Sequence, residues 1–381
     1  MPSVALVTNV LASYRVPCFR ELACHLPNDL AIFTLAHDMT HRRYILADEL
    51  GDLPVSVLPG LHWHLPPLDD RHLNNVWPVL RSKPDVLILS GWDEPTYLLL
   101  WLWGVLFKKK ILFWIESTSY DGRRTGVKEL AKRTLLKYAA GCLVPGQRAR
   151  QYCERLGVSP TRIFIAPNAT DRNYFQAAAN RLRPQRNALR KDFQVENAVV
   201  ILFVGRLVEA FKGVSILFHA YARLVSENLP VKLIVVGDGP DRPAYEFMIE
   251  QLGLPGIDFT GILDHDTLCK YYTAADILVL SSVLETWGFV LNEGMEFGLP
   301  LVVSEAVGAG PDLVHEGKNG YSVPVGDIEL LAARLVDLVR NRPLRDQMGM
   351  YSHRIIERFS PPNWAEGFMQ AIRSASARTT P

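Results

Sequence analysis

Two carboxylates eight residues apart, Glu285 and Glu293, stand in the stretch Ser281 to Pro300, where an apolar run gives way to a loop and then to a helical pattern. At ~1.5 Å per helical residue they sit ~12 Å apart or somewhat less, too far for the ~5–9.5 Å pair that hydrolyses glycosides. They suit two grips on one extended ligand, because an ionised carboxylate accepts hydrogen bonds from vicinal hydroxyls. A sugar nucleotide carries such hydroxyls at both ends. The helix N-terminus between them, at Gly288 and Phe289, suits a pyrophosphate. Two surface acids on a solvated helix are the other reading.

Fixed positive charge comes from an upstream loop, Gly205-Arg206-Leu207 followed by Lys212-Gly213, directly after an apolar run. Departure of a nucleoside diphosphate builds negative charge, and positioned cations stabilise it. Arg206 and Lys212 can supply them. A third piece, Val236-Gly237-Asp238-Gly239-Pro240, fails as a dinucleotide fingerprint because Arg242 occupies the third glycine position. Gly261-Ile262-Leu263 forms a similar later turn, and a purely structural turn is an equal reading of both. In the first half, Glu116 could polarise an acceptor hydroxyl as a general base or be a loop acid bonded to its neighbours. Arg15 could contact phosphate through its side chain. Asp93 and Glu94 stand at an acceptor-facing strand end or on a solvated loop, and His37, His62 and His64 fall on expected loops.

The E-x7-E element resembles that of the family 4 retaining glycosyltransferases, the group 1 glycosyl transferases of GT-B fold. The resemblance implies that Glu285 contacts the donor sugar and Glu293 the ribose, with Arg206 and Lys212 on the pyrophosphate and the turns at Gly237 to Gly239 and at Ile262 near the nucleotide. It extends through Pro167-Asn168-Ala169-Thr170-Asp171 with Phe175, Ala274-Ala275-Asp276, Gly308-Ala309-Gly310-Pro311-Asp312 and Asn319-Gly320-Tyr321. Roughly residues 165–330 match in order. Two departures fall in the first half: the loop Asn9 to Arg15 lacks the family's glycines, and Glu116-Ser117-Thr118 replaces a histidine. Retention of anomeric configuration, by attack from the face the leaving group departs, is implied by the resemblance alone.

The elements that must carry these loops are legible as strand-length apolar runs alternating with helical patterns, which predicts βαβ units on parallel sheets. The strands expected in the first half are Val4–Thr8, Leu30–Thr34, Val86–Ser90, Ile111–Ile115, Gly141–Val144 and Ile163–Ala166. In the second half they are Val199–Val204, Lys232–Val236, Ile257–Thr260, Ile277–Leu280 and Leu301–Val303. The fold class is therefore α/β, two doubly wound Rossmann-like domains facing a shared cleft. We place an acceptor-binding domain at residues 1–171 and a donor-binding domain at 172–360, with a C-terminal helix at about 361–381 returning to the first. The polar stretch Gln176–Asn197 reads as an exposed connection.

The 381 residues carry a net charge of +1, which gives no global drive toward nucleic acid. Five scattered cysteines without ligand spacing and no basic leader before an apolar stretch predict a reduced, metal-free cytoplasmic protein. No metal is expected if Arg206 and Lys212 carry the phosphate charge, and no cofactor is expected beyond a nucleotide-sugar co-substrate, a UDP-sugar before a GDP-sugar. The run Tyr97 to Phe107, of 11 residues, is short of the ~20 that span a bilayer. With Lys108 to Lys110 and the basic set Arg123, Arg124, Lys128, Lys132, Arg133 and Lys137, it fits peripheral contact with an anionic inner membrane face. A buried helix followed by a solvated basic one fits as well. The activity expected is transfer of a sugar to a hydroxyl of a glycan or glycolipid. An epimerase or phosphorylase on the same fold, and a non-catalytic sugar-nucleotide-binding subunit, are the rivals.

Overall fold

The computed structural model describes residues 1–36, 51–64, 70–120 and 126–377. It divides into two compact units, Met1–Asp171 with Ser360–Pro381, and Arg172–Phe359. Every strand read from the apolar runs is present, with ends moved by no more than one residue.

In the first unit seven strands run in the order Val55–Val57, Leu30–Thr34, Val4–Thr8, Val86–Leu89, Lys110–Trp114, Gly141–Val144 and Ile163–Ile165, and all pair in parallel. Parallel strands need crossovers that cover both faces, so their residues are apolar throughout rather than alternating. One face packs on the helices Val16–His25 and Pro361–Ala377 through Phe19, Trp114, Trp364 and Phe368. The other packs on Pro95–Leu106 and Gln147–Arg155 through Tyr97, Leu100, Tyr152 and Cys153. A separate antiparallel hairpin pairs Gly60–His64 with Asp70–Asn74.

The second unit has six parallel strands in the order Ile257–Gly261, Val231–Val236, Val199–Val204, Ile277–Leu280, Leu301–Ser304 and Gly320–Val323. Strand order reverses between Val199–Val204 and Ile277–Leu280, and open α/β sheets take ligands beyond the carboxyl ends of the strands at such a switch point. The loops Gly205 to Lys212 and Ser281 to Gly288 leave from these two strands.

The exposed connection expected at Gln176–Asn197 is not one. Helices Arg172–Leu182 and Arg186–Asp192 fill most of it, burying Phe175, Ala178, Ala179, Leu182 and Leu189 against the rest of the second unit. Arg186 and Arg190 both clasp Asp276, at 2.7 and 2.9 Å, and Arg190 also donates to the carbonyl of Ala274. Charge that looks solvated in the sequence is spent on these bonds. His62 and His64 lie on a strand, not a loop, and the His62 ring meets His72 edge-on at 4.7 Å across the hairpin. His37, Arg123 and Arg124 lie outside the described residues.

Candidate active site

The loop after Val199–Val204 and the loop after Ile277–Leu280 are stitched together by backbone. The N–H groups of Val283 and Leu284 donate to the carbonyl of Phe211 at 2.8 and 3.0 Å, and the Ser281 hydroxyl donates to the carbonyl of Gly213 at 2.9 Å. This seam carries Lys212 to Glu285, and the ammonium bonds the carboxylate directly in a part-buried ion pair. A methyl added at Gly205 would lie 3.5 Å from Cε of Lys212, so the lysine stem lies over the residue that precedes Arg206. Arg206 itself is exposed and makes no ion pair among the described residues. One neutralised cation and one uncompensated cation thus share the crevice mouth of the second sheet.

Gly288 opens the helix Phe289–Glu296 with a left-handed backbone, φ +99°, which a side chain rarely adopts. That turn lets the chain leave the loop bearing Glu285 and start a helix within one residue. Trp287 is buried beneath it and donates from Nε1 to Asn292 Oδ1 at 2.9 Å. On the same helix Glu293 accepts from the Tyr272 hydroxyl at 2.7 Å. Burial pushes its carboxyl up to about 7, with the tyrosine bond opposing the rise. Glu296, one turn on and paired with Arg172 at 2.9 Å, is likewise pushed up to about 7 by burial.

Gly237 and Gly239 lie against the neighbouring loop. A Cβ at Gly237 would come within 2.0 Å of the Gly205 carbonyl oxygen, and one at Gly239 within 2.2 Å of that of Leu207. The Leu207 N–H donates to Asp238 O at 2.9 Å across the same contact. These glycines bring the loop of Arg206 hard against its neighbour. Ile262, just past the strand Ile257–Gly261, is 82% exposed, and Phe289 is part-buried.

In the first unit, the residues picked out from sequence also follow strand carboxyl ends. Arg15 and Glu116, treated separately above, form one ion pair at 2.5 Å, with the guanidinium 4.5 Å over the Trp114 ring. Glu94, read from sequence as standing at an acceptor-facing strand end or on a solvated loop, is buried. It accepts from the His72 N–H at 2.7 Å and pairs with Arg71 at 3.4 Å, fixing the hairpin to the sheet. Asp93 remains exposed, 3.8 Å from Arg71. Tyr272 is the site residue that sequence reading overlooked. Its only signal is its place on an amphipathic helix preceding the strand that leads to Glu285.

Fold and site together define a two-unit Rossmann-like protein with an acid and base cluster at the switch point of its second sheet. Residues 185–354 match the model of the family "Glycosyl transferases group 1". It is 29% identical over 235 residues to alpha-D-kanosaminyltransferase of Streptomyces kanamyceticus, covering 61% of this chain and 59% of that protein. It is 32% identical over 184 residues to sulfoquinovosyl transferase of Arabidopsis thaliana, covering 47% and 34%. The chain therefore spans less than two thirds of either relative. In fold it is similar to the Anabaena protein HepE solved with UDP, with TM-score 0.76, 18% identity, and 98% and 100% of the two chains covered. The fold is GT-B.

Proposed function

We propose that this protein transfers a glycosyl group from a nucleoside diphosphate sugar to a hydroxyl of a glycan or glycolipid, with retention of anomeric configuration. The observation that carries this reading is the pairing of Lys212 with Glu285 beside Arg206, which has no ion-pair partner among the described residues, at the sheet's switch point. A pyrophosphate brings the negative charge that Arg206 lacks and that competes with Glu285 for Lys212. Glu285, once released, is free to accept from hydroxyls of the sugar, and Glu293 from those of the ribose. As the bond to the anomeric carbon breaks, charge grows on the β-phosphate oxygens, and the two cations stabilise it more in the transition state than in the bound donor. The acceptor hydroxyl attacks from the face the diphosphate leaves. Its proton passes to the departing phosphate, and no metal or cofactor is required.

The donor reading is UDP-linked, supported by the fold's similarity to a protein solved with UDP. Its place of action is the cytoplasmic side of a membrane. The test is a thermal-shift panel of UDP-, GDP- and ADP-sugars followed by product analysis, because a ligand that binds only the folded state raises the melting temperature. A UDP-sugar should raise it and, with an added glycan acceptor, yield an α- or β-linked product of the donor's own configuration. An isomerised sugar nucleotide or a sugar phosphate would replace this reading with an epimerase or phosphorylase. Binding without turnover on any acceptor would leave a non-catalytic subunit.

A further inference from the structure

The helix Pro95–Leu106 is apolar all the way round, a composition that belongs to a helix buried on every side. Only one side is covered. Tyr97, Leu100 and Gly104 face the sheet and are buried, while Leu98, Leu99, Leu102 and Leu106 are between 44% and 69% exposed. At ~100° per residue these four fall within one stripe opposite the buried side. Leu73 of the hairpin flanks the stripe, and with Pro95 and Trp101 it lines an open apolar groove of about 480 Å³. The stripe ends in the exposed Phe107 and then Lys108, Lys109 and Lys110.

The neighbouring helix Val127–Lys137 continues this surface. Trp101 joins the two, donating from Nε1 to the Leu135 carbonyl at 3.3 Å and meeting the Tyr138 ring at 6.0 Å. Val127, Leu130 and Tyr138 are exposed, and so are Lys128, Arg133 and Lys137 beside them. Residues 95–110 and 127–138 together hold seven basic residues and one acid, Glu129, in a chain whose net charge is only +1. Glu129 is already tied to Lys132 at 2.7 Å.

We propose that this face of the first unit docks on an anionic phospholipid surface, with the leucine stripe entering the boundary between headgroups and acyl chains and the lysines and Arg133 against the headgroups. Among the described residues no helix is long and apolar enough to cross a membrane. The stripe lies along the interface, where an apolar helix face with basic flanks binds through buried area and charge together. The asymmetry of charge selects this occupant. A second copy would present the same positively charged face, and like charge on both faces opposes that pairing.

The test is co-sedimentation of the full chain with vesicles of phosphatidylcholine alone and of phosphatidylcholine mixed with phosphatidylglycerol, at low and high salt. The wild-type chain should sediment with the mixed vesicles and lose most of that binding at high salt. The double variant Leu98→Asp, Leu102→Asp should weaken binding at least tenfold. Lys108→Glu, which alters no apolar contact, should weaken it by a smaller factor and flatten the salt dependence. Melting curves with UDP, read on the same preparations, should be unchanged in both variants, which separates failure of docking from failure of the donor reading. Absence of wild-type binding, equal binding to both vesicle types, or variants that sediment like wild type would overturn the proposal. So would a wild-type dimer that the leucine variant dissociates.

Discussion

The glycines Gly237 and Gly239 could serve a bound nucleotide or the protein's own backbone, and replacing Gly237 by alanine weighs the second. The residue has φ +128°, and the new Cβ would stand 2.0 Å from the Gly205 carbonyl oxygen, so the two loops must part by about an ångström. Three backbone bonds lie in the strained region: Gly205 N to Val236 O at 3.0 Å, Leu207 N to Asp238 O at 2.9 Å and Gly237 N to Gly261 O at 2.9 Å. At ~1 kcal/mol for each bond lost, and ~1–3 kcal/mol for a side chain held in that backbone region, the cost is roughly 4–6 kcal/mol. In a unit of this size that lowers the melting temperature by roughly 10–20 °C. Gly261→Ala is the control, because its φ is +73° but the nearest atom, Nη1 of Arg242, is 3.9 Å away. Strain alone should cost it ~1–2 kcal/mol. Differential scanning calorimetry of both variants without ligand reads the difference. A Gly237→Ala protein that melts within about 2 °C of wild type would refute the reasoning and return the glycine to a nucleotide role.

Arg206→Ala should leave the melting temperature unchanged, since the side chain is exposed and makes no ion pair among the described residues, while lowering kcat by ~100- to 1000-fold in a donor-turnover assay. A mere rise in KM would show that it holds the ground state only. Glu285→Gln removes the partner of Lys212 and should weaken turnover yet strengthen binding of UDP itself by a few-fold, measured by calorimetry; weaker UDP binding contradicts the competition between carboxylate and pyrophosphate. Because the Glu293 carboxyl is pushed up to about 7, donor affinity should climb as pH rises through that value and the carboxylate forms. Tyr272→Phe removes a bond that lowers this pKa, so the inflection should move to higher pH, and an unmoved inflection assigns the titration elsewhere. The same carboxyl, with Glu296, takes up its proton on folding, so both contribute stability below the usual carboxylate range that is lost as pH rises through about 7; melting curves across that interval check the sign.

Buried parallel strands were legible because they are covered on both faces and read as unbroken apolar runs. Val55–Val57 is too short for that signal, and Gly320–Val323 begins inside an Asn-Gly pair that reads as a turn. Asn319 explains the pair: its amide closes the loop by accepting from the His315 N–H and donating to Leu313 O, both at 2.8 Å. The hairpin at 60–74 mixes His, Trp, Asp and Arg, and its order comes from Glu94, some twenty residues on. The helices at 172–192 held a readable spacing in Phe175, Ala178, Ala179 and Leu182, masked by Arg, Asn and Pro184 between them. At the site, residue types and order along the chain located Arg206, Lys212, Glu285 and Glu293. Side-chain pairing was not legible, because Lys212 with Glu285 and Arg15 with Glu116 join residues 73 and 101 positions apart.

The first unit closes its core with the chain's last helix. Trp364 lies 5.5 Å from Phe19 and 5.6 Å from Trp114, and Gly367 passes so near the strand Ile163–Ile165 that a Cβ there would meet the Ile165 carbonyl at 2.3 Å. During synthesis, the first 171 residues must therefore wait with one sheet face covered only by helix Val16–His25 while the whole second unit emerges. The second unit, continuous in sequence, can fold in that interval and is complete before the first. An early stop or a nick before Ser360 would thus damage the half farthest from it along the chain, leaving Phe19 and Trp114 to chaperones or to aggregation.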